Sequence, residues 1–164
     1  MVNRTAWTAG NGVGYTWTAI IQASDFTTSL LTNGQSVLGT PTVANQTQQD
    51  MFMDISVRLS IASSTIAAGA NLALWLYALL DDGATYGDGQ LVAGTAAAKT
   101  PTFAPCGTIP LVAAAAQTSL VGFVQQVIIP PGSFKLAIQN NSGFTLTSTT
   151  TACMYRTYNL NLNN

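Results

Sequence analysis

The stretch Met53-Asp54-Ile55-Ser56-Val57-Arg58-Leu59-Ser60-Ile61 alternates without exception, apolar at odd positions and polar at even ones. A strand sends successive side chains to opposite faces, so a period of two predicts a β-strand with one buried face. Slipping its pairing by one residue would expose all five apolar groups, which fixes the register. A second alternation sets Phe134, Leu136 and Ile138 against Lys135, Ala137 and Gln139, and predicts a strand with Lys135 solvated on its outward face. The run Asn140-Asn141-Ser142-Gly143 follows as a turn. Phe144-Thr145-Leu146-Thr147 and the long segment from Thr151 to Leu162 continue the strand pattern.

Two other runs are more continuously apolar. Asn71 to Leu80 is long enough for a helix, yet no polar face recurs at helical spacing and aromatic residues break up its leucines. Asp81-Asp82-Gly83 closes it like a loop entry, so it is expected to be a strand. Leu120 to Ile129 is a second such strand, stopped by Pro130-Pro131-Gly132 because proline cannot donate into a ladder. Nearer the start, Tyr15 to Ile21 reads as a strand, and Ser24 as the N-cap of a helical turn through Asp25 and Phe26. Asn33-Gly34 is a turn signal that predicts a hairpin between Leu30-Leu31 and Val37-Leu38. Residues 1–14 lack periodicity and read as an extended arm, and residues 81–119 as loop-rich.

Eight or nine short strands without a long helix or an internal repeat predict an all-β chain. The expected fold is a single-domain antiparallel β-sandwich, because the strands differ in length and several connections are long. A jelly roll suits an eight-strand chain of this size. Residues 1–24 would form the extended N-terminal arm and first strand, and residues 25–164 the sandwich.

Composition narrows the chemistry. Only 7% of the 164 residues are charged, against about 25% in ordinary soluble domains. The acidic residues are all aspartate, and histidine and glutamate are missing altogether. Nucleophilic hydrolysis by Ser or Cys usually needs a histidine base, and glycoside hydrolysis needs two carboxylates flanking one bond. Neither is apparent, and Lys99 and Lys135 sit in no Ser-Lys motif, so the chain is expected not to be an enzyme. The net charge is −1, and the five cations (Arg4, Arg58, Lys99, Lys135, Arg156) are scattered, which argues against nucleic acid and against polybasic membrane recruitment. Leu72 to Leu80 is too short to span a bilayer, and the opening residues show no signal-peptide pattern, so a soluble protein made in a cytosol is expected. Cys106 and Cys153 then read as reduced, buried thiols. Bridging them would be worth about 4 kcal/mol in the chain-entropy model.

Candidate binding residues are few. Asp81, Asp82 and Asp88, set among glycines, offer oxygens to Ca²⁺, but their spacing is not an EF-hand and Asp-Gly is also ordinary turn chemistry. Trp7, Trp17, Trp75, Tyr77 and Tyr86 suit either a sugar-stacking platform or a core and subunit contact. Sequon-like strings begin at Asn3, Asn45 and Asn140, as chance allows in so Asn- and Thr-rich a chain. In the arm, Trp7, Tyr15 and Trp17 are the candidate partner-binding residues, since buried aromatics dominate interface energies.

The succession Phe26-Thr27-Thr28-Ser29-Leu30-Leu31-Thr32-Asn33-Gly34-Gln35-Ser36-Val37-Leu38, then Asn45-Gln46-Thr47 and Phe52-Met53-Asp54-Ile55-Ser56-Val57, resembles small structural proteins of tailed bacteriophages. So do Leu76 to Gly83, Tyr86-Gly87-Asp88-Gly89, Ile129-Pro130-Pro131-Gly132-Ser133-Phe134-Lys135 and Tyr155-Arg156-Thr157-Tyr158-Asn159. The chain is thus similar to jelly-roll decoration (cement) proteins, which sit outside an assembled capsid and clamp neighbouring major capsid subunits. The resemblance implies a virion protein on the outer capsid surface, made in the host cytoplasm, with the major capsid protein as partner. It carries over no catalytic motif and no cofactor. A homo-oligomer, dimer or trimer, is expected. The alternative is a phage fibre or carbohydrate-binding β-sandwich module contacting a host glycan.

Overall fold

The computed structural model describes residues 4–9, 16–26, 31–80, 86, 91–147 and 153–163. In chain order its strands are β1 (Arg4–Ala9), β2 (Thr18–Ile21), β3 (Ser36–Leu38), β4 (Val43–Ala44), β5 (Phe52–Ser64) and β6 (Asn71–Ala78). There follow β7 (Gly107–Pro110), β8 (Gln117–Ile128), β9 (Ser133–Asn141), β10 (Leu146–Thr147) and β11 (Cys153–Asn163). They form two antiparallel sheets, one of six strands and one of five.

In the first sheet β1 and β2 lie end to end along one edge of β11, whose other edge pairs with β5. Short β10 continues the β11 position along β5, and β8 takes the far side of β5. In the second sheet β3 and β4 share one edge of β9, followed by β6 and then β7. With end-to-end pieces counted as one position, every connection crosses between sheets except β6 to β7. That is the connectivity of a jelly-roll sandwich, as the strand count led one to expect.

The alternation in β5 does what its period requires. Met53, Ile55, Val57, Leu59 and Ile61 are buried against Leu72, Leu74, Phe134, Leu136 and Ile138 of the opposite sheet. Toward one side the layers approach too closely for larger residues. A Cβ on Gly107 of β7 would lie 2.7 Å from Val124 of β8, and one on Gly122 of β8 would run into Ile109 of β7.

The second sheet is buried on both faces. Ala73, Trp75, Tyr77 and Ala137, on its outer side, form a satellite cluster with Leu38 and Leu91. Residues 91–106 make the cover. Ala97 exchanges two backbone hydrogen bonds with Ser36, Trp75 donates Nε1–H to the Phe103 carbonyl at 3.0 Å, and the Phe103 ring meets Tyr77 edge-on at 5.0 Å. Burial on two sides is why Asn71 to Leu80 shows no polar face. Of the region expected to be loop-rich, residues 91–106 are therefore irregular but packed, and β7 and the start of β8 follow them.

Several expectations need correction. Lys135 points outward as its parity requires, but the 39–40 backbone and Tyr86 meet it there and it is only 8% exposed. Its ammonium donates to the carbonyls of Gly39 (3.2 Å) and Thr40 and lies 5.4 Å from the Tyr86 ring centre. The turn at Asn33-Gly34 exists, with Gly34 at φ 82° and Gln35 N–H bonded to the Thr32 carbonyl, but its flanks form no hairpin. Leu31 bridges to Leu146 of the first sheet while β3 joins β9 of the second, so the turn spans the sandwich. The helical turn is a 3-10 segment, Ala23–Phe26, and it is Asp25, not Ser24, whose carboxylate accepts the Gln22 N–H (2.8 Å). Within the segment read as an arm, residues 4–9 are strand β1, in register with residues 158–163. So short a run carries no local sign of a partner at the far end of the chain.

Two of the sequon asparagines are structural. Asn45 is buried, donates to the carbonyls of Asp50 (2.9 Å) and Pro130 (2.8 Å), and accepts the Asp50 N–H. Asn140 donates to the carbonyls of Leu31 (2.9 Å) and Phe144 (2.6 Å) and accepts the Ser142 N–H, tying β9 to the connection that enters the other sheet. Asn3 lies outside the described residues.

Candidate functional site

The two outer faces of the sandwich differ. The second sheet is roofed by residues 91–106, whereas among the described residues the first sheet is covered only in part, by Trp17 reaching over Arg156 to Phe123, and the β8 side stays exposed. Its outward side chains are those of opposite parity to the core: Asp54 and Arg58 on β5, Arg156 and Tyr158 on β11, Val121, Phe123 and Ile128 on β8.

At its centre is a polar knot. Asp54 is 3% exposed, and a carboxylate so placed needs donors on each oxygen. Arg156 supplies Nε–H (3.0 Å) and Nη2–H (2.8 Å) to Oδ2, while the Tyr158 hydroxyl (2.8 Å) and the Gln126 N–H (3.1 Å) donate to Oδ1. The last bond explains a backbone irregularity. Met53 pairs with Val127 but Ile55 with Val124, so two residues of β8, Gln125 and Gln126, oppose Asp54 alone. This is a β-bulge, with Gln126 at φ 56° and its N–H turned onto the carboxylate. Burial pushes the Tyr158 phenol up to about 12, reinforced by its bond to Asp54 and that residue's negative charge.

Around the knot the surface is apolar. Trp17, just before β2, has the Arg156 guanidinium 4.9 Å from its ring centre, and meets Phe123 edge-on at 5.8 Å. Phe52 stacks on Tyr158 at 5.9 Å. On β8 the outward side chains are bare: Val121 is 70% exposed, Phe123 45% and Ile128 77%. The charge of Arg156 is matched by Asp54, so the patch joins aromatic and aliphatic groups around a neutralised pair.

Of the residues singled out from sequence, Trp17 lies on this face. Trp7 is on β1, opposite Leu160 of β11 in backbone register. Tyr15 lies outside the described residues, as do Asp81, Asp82 and Asp88. Among the described residues no three metal-binding side chains come together. Trp75 and Tyr77 are buried beneath the 91–106 segment and offer no platform to a sugar. The thiols of Cys106 and Cys153 are free, and burial pushes both above the ordinary value, Cys106 to about 12.

Sequence reasoning missed Val121, Phe123 and Ile128 as surface residues and the Asp54–Arg156–Tyr158 association. The bulge flips the parity of β8 midway, so no single alternation runs through it. Its one trace in the sequence is the polar pair Gln125-Gln126 inside an apolar run. Compared with protein-family models, with curated proteins and with solved structures, the chain matches none.

Proposed function

We propose that this protein is a non-enzymatic structural component of a tailed-phage particle. As a homo-oligomeric jelly-roll decoration protein it binds the outer capsid surface and stabilises the shell by clamping neighbouring major capsid subunits. The observation that carries this is the asymmetry of the two outer faces. The chain roofs one sheet with its own residues 91–106, whereas on the other, among the described residues, Val121, Phe123 and Ile128 stay exposed beside a satisfied ion pair. The Asp54–Arg156 pair can be covered by a partner without stranding its charges, while the exposed Arg58 on the same face calls for an acceptor from that partner. Arginine and aromatic side chains are what interface centres favour. The bacteriophage assignment rests on the segments from Phe26 to Asn159 that resemble decoration proteins. The N-terminal segment, with Trp7, Tyr15 and Trp17, belongs to the same contact, Trp17 lying against Arg156 and Phe123.

Cryo-electron microscopy of the native particle tests this. Density for the sandwich is expected on the outer capsid surface, with the first sheet or the N-terminal segment toward the shell. Density on a fibre, or a particle lacking the chain, would overturn it. Deleting residues 1–14 is expected to abolish retention on particles, and full occupancy by the truncated chain would remove that segment from the contact.

A further inference from the structure

A sheet edge presents unpaired N–H and C=O groups, and soluble proteins blunt such edges by shortness, charge, proline or cover. Three of the four edges here are blunted. β3 and β4 are three and two residues long, and Ala93 and Ala97 bridge to the first of them. β7 has four residues and ends in Pro110. β1, of six residues, carries Arg4, and β2 has four. The fourth edge is β8, twelve residues (Gln117 to Ile128) with neither a charge nor a proline. It pairs with β5 on one side, and among the described residues no strand takes the other.

We propose that β8 is a self-association edge, on which the β8 of a second copy adds antiparallel across a two-fold axis, joining two first sheets into one. The groups left open are backbone donors and acceptors in strand spacing, so the occupant they call for is itself a strand. A second β8 meets this edge with no like charges brought together, and a two-fold contact closes at two copies. Register against β5 is regular from Ser119 to Val124, with irregularities on either side. Directly opposed residues of one sheet face the same side, so the axis falls on a residue. At Val121, 70% exposed, it sets Val121 against Val121 of the second copy, with Ser119 opposite Phe123. Beside this stretch lies a groove of about 290 Å³ lined by Pro110, Leu111, Val112, Leu120 and Val121, which receives the side chains of the added strand. The pairing rests on the homo-oligomeric part of the function proposed above but not on the capsid.

Sedimentation of the purified chain in free solution tests it, separately from retention on particles. Twice the monomer mass is expected at concentrations on the order of 100 μM, accessible to contacts of micromolar affinity. Val121→Lys sets two ammonium groups against each other at the axis and is expected to sediment as monomer, with the thermal midpoint that the wild-type chain shows when diluted to monomer. Val121→Cys is expected to form a disulfide-linked dimer on mild oxidation. A monomeric or trimeric wild-type chain, or a Val121→Lys variant that stays dimeric, overturns the proposal. Should Val121→Lys not fold, amide exchange of the wild-type chain decides. Protection of residues 118–124 that grows with concentration supports the pairing, and protection independent of concentration overturns it. A free dimer absent from particles would refute the capsid reading alone, and a free monomer that decorates them would refute this one alone.

Discussion

Asp54 concentrates more of the first sheet's outer structure than any neighbour, because four donors from two other strands converge on its carboxylate. Removing it in Asp54→Ala takes a charged acceptor from the Tyr158 hydroxyl and the Gln126 N–H. Arg156 keeps 30% of its side chain exposed, so water screens its share of the loss. The expected cost is about 2 kcal/mol in urea unfolding, against less than about 0.5 for Arg58→Ala on the same face. Gly122 is the second decisive position. Its substitution by alanine drives a methyl into Ile109 of the facing sheet and is expected to cost about 1–3 kcal/mol. The double variant Gly122→Ala with Ile109→Ala, which removes the Cγ2 methyl the new side chain meets, should cost less than the sum of the two single changes, since contacting residues do not add. Both roles escaped the sequence for one reason. Asp54 was legible as a polar position and Gly122 as a break in an apolar run, but their partners lie on other strands.

Among elements, β6 and β9 are the ones whose surroundings the pattern half disclosed. The unbroken apolar run of β6 was legible as a strand, and the roof that makes both its faces internal was not. That roof has no periodicity, and it docks through single contacts such as the Trp75 bond to the Phe103 carbonyl. Phe103→Ala is expected to cost about 1 kcal/mol from the lost ring pair with Tyr77. It should also raise amide exchange across residues 91–106 while leaving β5 protected. Equal loosening of both would mean the roof does not move as a separate unit. In β8 the bulge hid the distinction between core and surface, so an element placed correctly along the chain had its two faces left unassigned.

At the scale of the molecule, the absence of histidine leaves little to titrate between pH 6 and 8, and stability is expected to stay flat there. Alkali is different. The Cys106 thiol is raised from 9.0 and the Tyr158 phenol from 10.0, each to about 12. Both groups therefore contribute stability that is whole below those ordinary values and is lost as pH climbs toward 12. Lys135 runs the other way: burial lowers its ammonium, with the charge of Asp25 opposing, so its contribution rises with pH until 10.5. The steepest loss should fall between pH 10.5 and 12, and Tyr158→Phe should shallow it. Urea midpoints measured across this range check both. The raised Cys106 value also slows thiolate chemistry, by about a thousandfold for three pKa units. Native protein should therefore react with a disulfide reagent far more slowly at pH 8 than unfolded protein.

The sequence by itself determined the class of the fold, because a period of two in β5 and β9 admits only a strand with one face inward. It determined the main breaks too, since Pro130-Pro131-Gly132 and Asn33-Gly34 act through local backbone geometry. It also determined a surface poor in charge. Only the tertiary structure decided which apolar residues remained outside, which sheet the chain roofs, and that Lys135, Asn45 and Asn140 are internal. Those outcomes depend on contacts between residues far apart in the chain. Periodicity reports the two faces of one strand, and it carries no record of what packs against either.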